Sequence, residues 1–172
     1  MSNSFEGYDM EYIKKTIACL RALTHWQQRA IVLQADIDDL KGRIKADAVP
    51  PISNLSNQGR GGGFTDSQEE RAAEKCEQWE AEIRRKKVEL CTIKSRLGRI
   101  TRAIEALEND ERRIIKGRYV EGLTWGRLAQ NICASVSYCR SHADKAIGDL
   151  AVMLYGPDAC PGMFPADFFS KW

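Results

Sequence analysis

The positions Trp79, Ile83, Lys86, Leu90, Ile93, Leu97, Ile100, Ile104 and Leu107 are separated alternately by four and three residues. That alternation averages 3.5, the repeat that keeps a stripe of side chains on one side of a slightly underwound α-helix. A strand would need a period of two, so this stretch is committed to a helix whose apolar seam must be covered. Lys86 is its polar member, and serves either to fix register or to snorkel along the seam. A second seam runs through Ile13, Ile17 and Leu20, then Ala30, Leu33, Ile37, Leu40 and Ile44. The stretch around Leu23, Thr24, Trp26 and Gln27 breaks its strict repeat, so the seam shifts there or Trp26 fills a wider contact. Between the two seams lies AVPPISNLSNQGRGGGFT, whose proline pair cannot continue a helix and whose glycines favour a loop. Two long helices joined by such a loop are most simply an antiparallel hairpin closed within one chain; a parallel dimer through residues 79–107 is the rival.

No strand-like alternation occurs, and the expected fold class is all-α: a long antiparallel coiled-coil helical hairpin followed by a small helix-turn-helix domain. The expected division is residues 1–48 for the first helix of the arm, 49–65 for the Pro/Gly-rich loop and 66–107 for the second helix. Residues 108–156 are expected to form the domain of short helices and 157–172 an aromatic tail. The RGGG run lacks the GxxxxGK[ST] spacing and the preceding strand of a phosphate-binding loop.

With 172 residues, the chain can form one compact domain or a small domain on an extended arm, which excludes a multidomain enzyme. Its net charge of +2 conceals a polarity. Residues 66–82 hold seven acids against Arg71 and Lys75, and residues 83–102 hold eight bases against Glu89. Acid at the start of a helix and base further along suit the helix dipole, and the basic stretch can also face nucleic acid. No apolar run approaches the roughly 18 residues of a membrane span, and the start MSNSFEGYDME lacks the features of a secretion signal, so the expected location is cytoplasmic, without membrane contact. The six cysteines include no CxxC pair and only His25 and His142 could join them, so the expectation is reduced thiols, no metal and no cofactor. No nucleophile–base pair or carboxylate cluster stands out, and no catalytic residue is assigned: the chain is read as not an enzyme.

After Leu107 the helices become short. Asn109 or Asp110 can cap ERRIIKGRYV, which ends at Gly122; Thr124 caps WGRLAQNI; Ser135 caps VSYCRSHADKAIGDLAVMLY, which stops before Gly156 and Pro157. In the last of these Cys139, Ala143, Ala146, Ile147 and Leu150 share one face. The opposite face carries Ser137, Tyr138, Arg140, Ser141 and Lys145. A short helix, a tight turn and an amphipathic helix with a polar outer face make a helix-turn-helix, whose second helix can enter a DNA major groove.

The stretch LENDERRIIKGRYVEGLTWGRLAQNICASVSYCRSHADKAIGDL, from Leu107 to Leu150, resembles region 4 of bacterial sigma factors. There "ERxIIxxRYxxG" leads into "TWxxLA", a Ser-capped recognition helix and a closing "KAIxxL". The longer arrangement of arm, Gly-rich loop before "FTDS", basic helix and terminal module resembles phage-encoded late-transcription regulators of the ArpU and RinA type. The resemblance implies a small core of Ile114, Ile115, Tyr119, Leu123, Trp125, Leu128, Ala129 and Ile132. Ser135 would cap the recognition helix, Ser137, Tyr138 and Ser141 would reach base edges, and Arg140, His142 and Lys145 would contact phosphates, with Arg127 completing the DNA-facing set. It further implies a promoter-binding transcriptional regulator in the cytoplasm of a phage host, with double-stranded DNA and host RNA polymerase as partners; separately, a homodimer through the coiled coil would present two recognition helices to two half-sites. Two positions depart from the pattern. Cys133 stands where the family favours Gly or Asn, and the reading face is rich in hydroxyls where bidentate Asn or Gln would give sharper readout. The alternative from another class is a coiled-coil assembly or DNA-packaging factor, such as a small terminase subunit. The tail CPGMFPADFFSKW either folds back on the helices or docks on a partner such as RNA polymerase.

Overall fold

The computed structural model describes residues 5–47 and 65–161, with side chains from Glu70 onward in the second stretch. The Pro/Gly-rich loop expected before α2 and the aromatic residues of the tail lie outside the described residues. The described chain is all-α: α1 (Met10–Asp47), α2 (Thr65–Glu105), α3 (Asn109–Ile115), α4 (Trp125–Ile132) and α5 (Val136–Tyr155). A π turn, Lys116–Val120, extends α3, and a 3-10 turn, Gly156–Ala159, follows α5. No strand occurs among the described residues, and no helix there is long and apolar enough to cross a membrane.

The contacts form two compact units. One comprises Gln28–Lys94. In it Ala30, Leu33, Ile37 and Leu40 of α1 are buried, as are Ile83 and Leu90 of α2, so both seams are covered within one chain. Arg29 donates to both carboxylate oxygens of Glu89, at 2.9 and 3.2 Å, and Lys86 meets Asp36 further along α1, so the two helices of this unit run antiparallel. Lys86 neither floats nor merely snorkels: its ammonium lies 2.8 Å from Asp36 of α1, with Glu82 at 3.5 Å. These pairs sit at the helix margins, where each stabilises little, and they act mainly on alignment.

The other unit joins the residues before 28 to those after 94. Its core takes Ile13, Leu20 and Leu23 from α1, Ile100 and Ile104 from α2, Ile115 from α3, and Ala146, Ile147, Leu150, Ala151 and Leu154 from α5. A boundary at 107/108, drawn from the change of period, therefore divides residues that share one core. The physical reason is the width of the apolar side of α5: Ala151 and Leu154 extend it beyond the five positions read from sequence. The boundary at 156/157 is likewise too early, because Ala159 and Cys160 are buried. The Asp9 amide donates to the Ala159 carbonyl (3.0 Å), and the Cys160 thiol donates to the Gly7 carbonyl (3.2 Å). The break in the α1 seam coincides with this wider packing, where Leu23 is buried and Trp26 is half-buried against the core.

Tyr155 borders that core, its ring centroid 5.1 Å from that of Tyr12 and its hydroxyl 3.6 Å from Cys19 Sγ. Burial, helped by Cys19, pushes its phenol up to about 12 from an ordinary 10.0. The folded state thus favours the neutral phenol; that stabilisation is complete below pH 10 and is lost as pH rises towards about 12. Tyr155→Phe is expected to flatten the decline in stability over this window in denaturant titrations. A residual slope is expected from Tyr8 and Tyr119, which burial shifts in the same direction.

Candidate nucleic-acid interface

The helix-turn-helix is built from α3, α4 and α5. Glu108, not Asn109 or Asp110, is the N-cap of α3, and its side chain makes no capping hydrogen bond. Arg112 instead ties the end of α2 to this entry, donating to the carbonyls of Glu105 (2.6 Å) and Leu107 (2.9 Å), which would otherwise be orphaned at a helix end. Arg113 does the same for α4, donating to the Asn131 carbonyl at 3.0 Å. Thr124 Oγ1 accepts from the Arg127 amide at 3.4 Å, and Ser135 Oγ from the Tyr138 amide at 3.1 Å, so both caps expected from sequence are formed.

The turn between α4 and α5 passes through Cys133 at φ 59, ψ 41, the left-handed conformation that the family pattern reserves for Gly or Asn. The Cys133 amide bonds to Gln130 and the Ala134 amide to Ala129, the paired hydrogen bonds of a Schellman motif. An exposed side chain held in that conformation is strained by about 1 kcal/mol. Cys133→Gly is expected to stabilise the fold by about 0.5–1 kcal/mol in urea denaturation and Cys133→Val to destabilise it. A stabilisation by valine would show that the turn takes another shape.

On α5, Cys139, Ala143, Ala146, Ile147 and Leu150 are all buried, as the spacing requires. Cys139 and Ala143 pack with Ile114, Leu128 and Ala129, and Tyr119, Leu123, Trp125 and Ile132 border this cluster. Of the eight core residues expected, seven meet here. Ile115 does not; it points into the larger core.

The eight expected DNA-facing residues separate into two groups. Ser135, Ser137, Arg140, Ser141 and Arg127 are exposed. Neither Arg127 nor Arg140 has a carboxylate partner among the described residues. The Arg140 guanidinium lies 5.9 Å from the Trp125 ring centroid and that of Arg118 lies 4.9 Å from it, so Trp125 braces Arg140 while packing on the core. Tyr138 and Lys145 are exposed as well and His142 is half-buried, but these three side chains are engaged within the chain. The Tyr138 hydroxyl donates to Asp110 (3.2 Å), and its ring stacks on His142 with centroids 4.0 Å apart. Loss of solvation and Asp110 together raise the Tyr138 phenol above its ordinary range.

Lys145 donates to Glu111 at 2.7 Å, and His142 Nδ1 is 3.9 Å from the same carboxylate. Glu111 is only 2% exposed, and its pairing raises the Lys145 ammonium. The resemblance implies phosphate contacts for Lys145 and His142; in the folded chain both also approach Glu111, because a buried carboxylate needs a counter-charge. Sequence reasoning missed Glu111 and Asp110. Their partners lie 34 and 28 residues away, and no local spacing signals such pairs. No group of three His, Cys, Asp or Glu among the described residues is placed to hold a metal ion. Compared with known proteins, the chain matches no family model, no curated protein and no solved structure.

Proposed function

We propose that the chain binds double-stranded DNA with the outward side of α5 and acts as a transcriptional regulator of the kind its sigma-region-4-like motifs suggest. One observation carries this reading. The first turns of α5 expose Ser137, Arg140 and Ser141 on one side, with Arg127 of α4 also exposed, while the other side is sealed against the module core. Arginines without carboxylate partners supply phosphate contacts, and hydroxyls at the start of the helix reach base edges. By the same resemblance, the DNA is promoter DNA in a phage host and RNA polymerase is a second partner.

Binding to fragments from the chain's own genomic neighbourhood and to random DNA, across a salt series, tests this. Arg127→Ala and Arg140→Ala are each expected to weaken binding to every fragment and to reduce the slope of log K against log salt by about 0.9. Ser137→Ala with Ser141→Ala is expected to lower the preference for one fragment. Lys145→Gln, whose partner is internal, should leave the salt slope unchanged. Absence of DNA binding overturns the proposal. Equal, salt-sensitive binding to every fragment, with a closed ring seen by light scattering, replaces the regulator with the packaging factor.

A further inference from the structure

We propose that the cavity beside Tyr155 binds a small aromatic carboxylate, with the ring system held inside and the carboxylate on Arg96 and Arg99. This does not depend on the DNA reading. The cavity measures about 250 Å³, and its apolar walls are Trp26 of α1, Ile100 of α2 and Leu154 of α5. Cys19, Tyr155, Arg96 and Arg99 complete its lining. All these residues belong to one compact unit. A dry apolar cavity of about 150 Å³ holds a benzene ring, so a space of this size accepts two fused rings. The flat faces of Trp26 and Tyr155 suit a planar guest, because aromatic rings gain from offset or edge-to-face packing beyond the area they bury. Trp26 is only half-buried against the core, which leaves part of its ring for such a guest.

The polar part of the lining selects an anion. Arg96 and Arg99 lie three residues apart, neighbours on one side of α2. Both are exposed, and neither forms an ion pair among the described residues. Two like charges so placed repel each other, and an anion between them relieves that repulsion. The Tyr155 hydroxyl supplies a further donor. Its neighbour at 3.6 Å is Cys19 Sγ, a weak acceptor, and no oxygen or nitrogen accepts from it among the described residues. Because the phenol stays neutral up to about 12, it keeps its proton for a carboxylate at ordinary pH. The charge of Arg99 reaches that hydroxyl, where it opposes the upward shift. Guanidinium and phenol therefore bear on the same end of the cavity, and a carboxylate has the two oxygens to accept from both.

Calorimetric titration of the full chain with 2-naphthoate, 2-naphthamide and acetate tests the proposal. The naphthoate is expected to bind one per chain, and about tenfold or more tightly than the amide, which keeps the rings, or acetate, which keeps the charge. Arg96→Gln with Arg99→Gln should remove its advantage over the amide and leave the circular dichroism spectrum unchanged, since both side chains are exposed. Cys19→Met, which fills the cavity from its wall, should weaken both naphthyl compounds about tenfold. The naphthoate should also slow alkylation of Cys19 by N-ethylmaleimide, read on its own peptide by mass spectrometry, and leave that of the exposed Cys91 unaffected. Equal binding of naphthoate and naphthamide, or undiminished binding to the doubly substituted chain, overturns the proposal. So does absence of binding to the wild type; if binding then appears in Phe168→Ala with Phe169→Ala, the occupant is the chain's own aromatic tail.

Discussion

Ile115→Ala is expected to lower the unfolding free energy by about 2–5 kcal/mol. Ile115 is fully buried, and it lies in the core that joins α1, the end of α2 and α5. Its neighbour Ile114 is equally buried but packs in the other cluster, with Leu128, Ala129, Cys139 and Ala143. Successive residues of a helix point about 100° apart, so α3 places one isoleucine in each cluster from adjacent positions. Truncation at either removes buried methyl groups and leaves a void that the packed surroundings fill only in part. Val88→Ala, at an exposed site of α2, is the contrasting case and should change stability by no more than about 0.5 kcal/mol. Urea denaturation followed by circular dichroism reads both. A loss below about 1 kcal/mol for Ile115→Ala would mean that α3 does not bridge the clusters.

Gly117→Leu is expected to cost about 1–3 kcal/mol and, under the proposed DNA-binding role, to abolish tight binding. Gly117 is buried in the π turn, where a Cβ would stand 2.7 Å from Leu128 Cδ1 and 3.3 Å from Leu123 Cδ1. Leu128 is itself only 2% exposed, so it can yield only by moving α4 or by leaving its rotamer. The Leu123 amide also donates to the Gly117 carbonyl at 2.9 Å, which ties the segment entering α4 to the same residue. A shift of α4 displaces Arg127 and Trp125, and with Trp125 the brace of Arg140. Gly117→Ala should be milder, because the better helix propensity of alanine, about 1 kcal/mol, offsets part of the displacement of Leu128. Thermal unfolding and the salt-dependent DNA titration, run on the same variants, separate the stability effect from the effect on binding. Full affinity in a folded Gly117→Leu chain would place the DNA contact elsewhere.

Periodicity alone was sufficient for the long helices and for the buried side of α5, since burial of a helix face follows from 3.6-residue geometry wherever a partner exists. The caps at Thr124 and Ser135 were legible because each depends on a hydrogen bond within three residues, whereas the turn at Cys133 was indicated only by the family resemblance. The start of α3 was not legible: Glu108 is its N-cap and makes no side-chain capping bond, so the acceptors Asn109 and Asp110 gave a misleading local signal. Of the candidate site, the exposed Ser137, Arg140 and Ser141 could be placed by register on the helix. That Tyr138, His142 and Lys145 also meet Asp110 and Glu111 could not be read, because those partners reach them across the fold.

Taken by itself, the sequence determined that this protein is all-α, where its long helices run, and which side of α5 is buried. Those features rest on local geometry and on the cost of exposing an apolar stripe. Only the tertiary structure decided that the beginning of α1, the end of α2 and α5 share one core, that Lys86 meets Asp36, and that Glu111 claims Lys145. These are contacts between residues far apart in the chain, chosen by which surfaces and charges can be satisfied together once the helices have packed.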